Sequence, residues 1–121
     1  EQRAVDVIGP DPLDVGGIAE LKWIAEYADM HEILIAPHGI GNGPFGLAAI
    51  VQVGATLPDN FLAFELPIIA PEWKDLITGI APDIIRDGHA EISEVPGLGV
   101  DLVEEAARDL LGRKDVYTQP E

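Results

Sequence analysis

The sequence contains no cysteine, so it offers no disulfide framework, no thiol nucleophile and no thiolate metal site. It has no apolar run near the ~20 residues needed to span a bilayer, and no signal-peptide pattern. Cations are scarce: 7 Lys+Arg stand against 22 Asp+Glu, a net charge of −15. Such a chain repels phosphate backbones, which argues against nucleic-acid binding through a basic patch. Two readings of the charge stay open, an ordinary acidic surface and adaptation to high salt; net charge speaks to solubility and not to fold. The expectation is a cytoplasmic protein without membrane or nucleic-acid partners. A hydrophobic content of 47% argues against disorder.

What is present reads as alternating strands and helices. Val5–Ile8 is a short buried strand, ended by Gly9-Pro10-Asp11-Pro12, because proline cannot donate to a ladder. Gly16-Gly17 then opens a helix in which Ile18, Leu21, Ile24, Ala25 and Ala28 share one face. Glu32–Ala36 is a nearly continuous apolar strand, as expected of a parallel sheet covered on both faces. A glycine-rich loop, Gly39 to Gly43, leads to Pro44 as the first residue of a helix reaching about Leu57. Pro58-Asp59-Asn60 is a turn, and Phe61–Phe64 is a third strand. This order predicts an α/β fold with about three parallel strands and right-handed crossovers.

Beyond Pro67 the pattern changes, so the chain divides into βα units over 1–67 and an extension over 68–121. Trp73, Leu76 and Ile77 suggest a short helix, and His89–Ser93 a short strand. Asp101 stands three residues before Glu104 as in a capping box, ahead of an amphipathic helix through Leu102, Ala106, Leu110 and Leu111. The tail from Lys114 reads as frayed or extended.

Asp11, His38 and Glu65 each lie just past the end of an expected parallel strand, at equal intervals of 27 residues. In a (β/α)₈ barrel that edge is where active sites are built. Taken singly, each has a plain reading: a turn residue between prolines, a loop histidine, a strand-end charge. Their recurrence in phase makes them a set. A histidine that moves protons near neutral pH needs its tautomer and orientation fixed, and Asp11 on the adjacent strand can do that for His38. Glu65 can hydrogen-bond a substrate or act on charge developing on an oxygen.

The motifs point to a family. Pro10-Asp11-Pro12-Leu13-Asp14-Val15-Gly16-Gly17-Ile18-Ala19-Glu20, Ala36-Pro37-His38-Gly39, Leu57-Pro58-Asp59-Asn60 through Glu65, and Asp87-Gly88 followed by Pro96-Gly97-Leu98-Gly99-Val100 occur in order over nearly the whole chain. Together they resemble the C-terminal barrel portion of the mandelate racemase/muconate lactonizing enzyme family of the enolase superfamily. Gly9 stands where glutamine is common in the first motif.

That resemblance implies a Mg²⁺-dependent enzyme that removes a proton alpha to a carboxylate. Asp11 and His38 would form its Asp–His dyad, with His38 as general base, or as general acid to a departing hydroxyl. Glu65 would hydrogen-bond the carboxylate end of the substrate, and Gly39 and Asn42 would bind substrate at the pocket wall. No residue here matches the family's metal ligands, and Asp14, Glu20 and Glu32 read as solvated charges. A complete barrel typically needs about 250 residues, and the chain of 121 begins Glu1-Gln2-Arg3 without an initiator Met. The expectation is therefore a C-terminal portion, with Mg²⁺ held elsewhere in the parent and no cofactor held by this chain alone.

The stretch from Pro37 to Pro44 is most similar to acid-sugar dehydratases, which implies a lyase acting on a small carboxylate such as a sugar acid. A racemase or epimerase of a hydroxy acid or amino acid derivative is the alternative. A further alternative is an isolated chain that is inactive and self-associates, as exposed strand edges would favour. The parent is expected to be a homo-oligomer.

Overall fold

The computed structural model describes residues 4–39, 43–65, 75–79 and 84–112. Its first part is built from β1 (Val7–Ile8), α1 (Pro12–Val15), α2 (Ile18–Asp29), β2 (Leu34–Ile35) and α3 (Gly43–Gly54). β1 and β2 pair in parallel, with Val7 opposite Leu34 and Ile8 opposite Ile35. The same ladder continues past both strands, where the His38 N–H donates to the Pro10 carbonyl at 3.1 Å.

The expected strands prove short. Phe61–Phe64 contributes a single parallel bridge, Ile35 to Phe61, instead of a full strand. Pro37 supplies the physical reason: it is fully buried beside this segment and has no N–H to donate.

The turn after β1 holds a helix that the sequence reading did not expect. Asp11 caps α1, its Oδ1 accepting from the Leu13 N–H at 2.8 Å, and Pro12 occupies the first turn. Gly16, at φ 108°, ends α1 in the left-handed region, and Gly17, at φ 115°, precedes α2. The glycine pair thus both closes one helix and opens the next. Pro44 sits one residue inside α3, which begins at Gly43 and ends at Gly54, short of Leu57.

The core lies where α2 and α3 meet β2. Leu21, Ala25, Ile35 and Val53 are essentially inaccessible, and Ile8, Val15, Leu57 and Phe61 pack against them. Ile18, expected on the same face, is 40% exposed. Asn60 is buried beside this cluster, where its Nδ2 donates to the Ala25 carbonyl at 3.1 Å and the Ile33 carbonyl at 2.9 Å. One side chain therefore ties α2 and the entry to β2 to the segment that follows α3.

The remaining described residues form two small antiparallel pairs and a helix. β3 (Ile77–Thr78) pairs with β6 (Asp101–Leu102), and β4 (Ile85–Arg86) pairs with β5 (His89–Ala90). Ile77, expected in a helix, is therefore a strand residue; Trp73 lies outside the described residues. α4 runs over Glu104–Gly112. Asp101 does not cap it. Its backbone belongs to the β3–β6 pair, and the Val103 N–H donates to the Leu76 carbonyl at 2.9 Å, so extended pairing holds the chain up to Val103. Gln52 of α3 reaches the extension through a 3.3 Å bond to the Ser93 carbonyl. Among the described residues, no helix is long and apolar enough to cross a membrane.

Candidate active site

Asp11 and His38 meet where β1 and β2 run out. The Asp11 carboxylate engages two donors among the described residues. Oδ1 is fixed by the Leu13 N–H, and Oδ2 lies 2.8 Å from His38 Nδ1. Because an ionised carboxylate only accepts, Nδ1 carries the hydrogen and donates to Oδ2. That bond fixes the ring orientation and leaves Nε2 facing outward.

Nε2 faces Glu65, whose Oε2 is 3.6 Å away. This is an ion-pair separation, too long for a hydrogen bond. The side chain of Asp11 is only 7% exposed, whereas His38 is 44% and Glu65 51% exposed. The aspartate is thus the buried anchor, and the other two form an open face that a small molecule can reach.

The surroundings raise the pKa of His38 above its ordinary value. The hydrogen bond to Asp11 contributes most; burial works against it, and the charges of Glu65, Asp11 and Asp14 add to the rise. Such an imidazole keeps its proton to higher pH than a free one, and can deliver it through Nε2.

The other expected site residues fall into two classes. Gly39 is buried, and its neighbour is protein: a Cβ there would stand 2.5 Å from the Glu65 carbonyl oxygen and 2.9 Å from Ile50 Cδ1. Asn42 lies outside the described residues. Asp14, Glu20 and Glu32 are exposed, as expected.

Two contributions escaped the sequence reading. The Leu13 amide helps hold the aspartate, a role signalled by an Asp-Pro pair before a short apolar stretch. Asn60 was read only as a turn residue, and no local pattern marks its side chain as buried. A cavity of about 280 Å³ lies elsewhere, between α3 and the extension; Gln52, Arg86, Glu91 and Ser93 line it, and the three site residues do not.

Among the described residues, no group of three or more His, Cys, Asp or Glu could hold a metal ion. Asp11 is already engaged by the Leu13 amide and the His38 ring. The described residues do not fit a Mg²⁺ site.

The chain is similar to known proteins over most of its length. D-xylonate dehydratase of Haloferax volcanii is 44% identical over 103 residues, covering 84% of this chain and 24% of that protein. The crystal structure of a mandelate racemase/muconate lactonizing enzyme-like protein from Rubrobacter xylanophilus superposes with a TM-score of 0.76 at 42% identity, covering 88% of this chain and 27% of the other. An enolase from Pantoea ananatis, crystallised with bound D-gluconate and Mg, gives a TM-score of 0.75 at 28% identity over 86% of this chain and 25% of its own. The chain thus spans about a quarter of the length of these relatives. Residues 1–106 match the enolase C-terminal domain-like family over most of the sequence. Its α/β architecture is a portion of that barrel, and the chain belongs to that family.

Proposed function

We propose that the protein carrying this chain is an acid-sugar dehydratase and that Asp11, His38 and Glu65 form one wall of its active site. The observation that carries this reading is the His38 imidazole. It is anchored at Nδ1 by a buried carboxylate, has a raised pKa and presents Nε2 to an open face. A proton donor suited to a departing hydroxyl has these properties. The dehydratase relative and the gluconate-bound neighbour support a sugar acid as substrate.

In the reaction, a base takes the proton at C2, and the C3–O bond breaks. His38 gives its proton to the leaving oxygen, which departs as water. The enol left behind takes up a proton at C3, gives up its hydroxyl proton, and yields the 2-oxo-3-deoxy acid. Asp11 holds the ring through Nδ1 and stabilises the imidazolium. In its protonated form Glu65 would donate a hydrogen bond to the carboxylate end of the substrate beside Nε2, and Gly39 and Asn42 are proposed as substrate contacts. Mg²⁺ would be held by residues outside this chain, and it would supply stabilisation of the charge that develops on the substrate carboxylate as the C2 proton leaves.

The test is a panel of aldonic acids, D-xylonate and D-gluconate among them, given to the full-length protein with Mg²⁺. We expect a 2-oxo-3-deoxy product, and a fall of about 10²–10⁴-fold in turnover for His38→Asn. Epimerisation of the acids without loss of water would refute the dehydratase reading and favour the racemase alternative.

The chain by itself is read as inactive and self-associating. Val5 just before β1, Val7 within it, and Leu62 on the third segment are 48%, 46% and 56% exposed. Light scattering that finds a stable, dilutable monomer would refute this.

A further inference from the structure

Equal spacing in sequence does not by itself bring Glu65 level with His38. β1 and β2 keep an offset of 27 residues, from Val7–Leu34 and Ile8–Ile35 on to Asp11 and His38. The next pairing starts at an offset of 26, with Ile35 opposite Phe61. Continued in that register, the residue beside His38 would be Phe64, and a one-residue slip turns the opposite set of side chains to each face.

The ladder corrects itself between the two. The Leu62 N–H donates to Ile35, but the next bond runs from the Glu65 N–H to Pro37, at 3.1 Å. Two residues on one side face three on the other, which is a β-bulge at Ala63-Phe64. Pro37 lies where the bulge forms, and it has no N–H with which to keep the regular ladder. After the bulge the offset is again 27.

Gly39 completes the arrangement. It is buried against the Glu65 carbonyl at a distance that admits no Cβ. Its φ is not in the left-handed region, so the demand for glycine here is one of space and not of backbone conformation.

We infer that Pro37 and Gly39 are positioning residues for Glu65: together they seat the bulge that sets its carboxylate beside His38 Nε2. This deepens the dehydratase reading and rests on it for the role of Glu65 in binding the acid. Among the described residues, the charged groups that act on His38 are Asp11, Glu65 and Asp14, so displacing Glu65 alone leaves a defined electrostatic signature on the ring.

The experiment compares Gly39→Ala, Glu65→Gln and the double variant in the full-length protein. The readouts are the ring titration of His38 by NMR and KM against kcat for the sugar acid. Gly39→Ala is expected to lower the His38 pKa towards that of Glu65→Gln. It is also expected to raise KM by about tenfold or more, the weight of a hydrogen bond to a charged group. In the double variant the two effects are expected not to add.

If Gly39→Ala does not fold, Gly39→Ala with Ile50→Val removes the side-chain clash and keeps the clash with the Glu65 carbonyl. Wild-type titration and KM in Gly39→Ala, alongside altered values in Glu65→Gln, would overturn the inference and leave the dehydratase reading intact. Additive effects would overturn it as well. Should the wild-type protein dehydrate no sugar acid, the functional reading falls, and the His38 titration alone decides the positioning.

Discussion

Replacing Asp11 by asparagine separates two duties that one carboxylate performs. Oδ1 caps α1 through the Leu13 N–H, and Oδ2 holds His38. Asparagine keeps an acceptor for Leu13 and ranks beside aspartate as a cap, whereas alanine loses a cap worth about 1 kcal/mol. At pH 9, well above the ordinary histidine value, Asp11→Ala is therefore expected to be about 1 kcal/mol less stable than Asp11→Asn. Towards His38, asparagine can turn its NH₂ to Nδ1, which favours the neutral ring and opposes the imidazolium. The pKa of His38 should then fall from above its ordinary value to below it.

The consequence for stability follows by sign. In the wild type the folded state binds the His38 proton more tightly than the unfolded state does. Its contribution is full below the ordinary value of 6.5 and is lost as pH rises through the higher folded value. In Asp11→Asn the slope reverses, and stability is lost as pH falls through the depressed value. Denaturant titrations from pH 5 to pH 9, paired with NMR of the ring, measure both duties. Equal losses for asparagine and alanine at pH 9, or an unmoved His38 titration in Asp11→Asn, would refute the division.

Two further outcomes are expected. Asn60→Asp keeps the shape of the side chain but sets a carboxylate against the Ala25 and Ile33 carbonyls in place of two donated bonds; a loss of at least about 2 kcal/mol should appear in urea denaturation, and a loss under about 0.5 kcal/mol, the range of surface changes, would contradict the role given to it. With a net charge of −15, the chain should raise the Tm of the protein as NaCl increases from about 0.1 M to about 1 M, because the screening length falls from about 10 Å to about 3 Å; a Tm that follows a sucrose control instead would show that self-repulsion is not limiting.

Much of the site was legible because its logic is periodic. Asp11, His38 and Glu65 repeat with the βα unit, and the pairing of Asp11 with His38 needs only the parallel register of β1 and β2. The third position was anticipated for an incomplete reason. Its register begins one residue out of phase, and the correction depends on a missing N–H at Pro37 and a missing Cβ at Gly39, neither of which a hydrophobic pattern records. The helix over Pro12–Val15 was hidden by the prolines that read as a break. At Asp101 a local capping signal met a competing long-range pairing with Thr78, and the pairing prevailed. There, short-range preference yields because a distant segment supplies the hydrogen bonds.

The cap on α1 has a use beyond stability. The Leu13 amide is bonded to the same carboxylate that faces the histidine ring. Its chemical shift and its exchange with solvent therefore register any redistribution of charge on Asp11, including the one that accompanies gain or loss of the proton on His38. A single backbone N–H in a four-residue helix is thereby a native spectroscopic probe of the dyad, readable without labelling the site or altering a side chain.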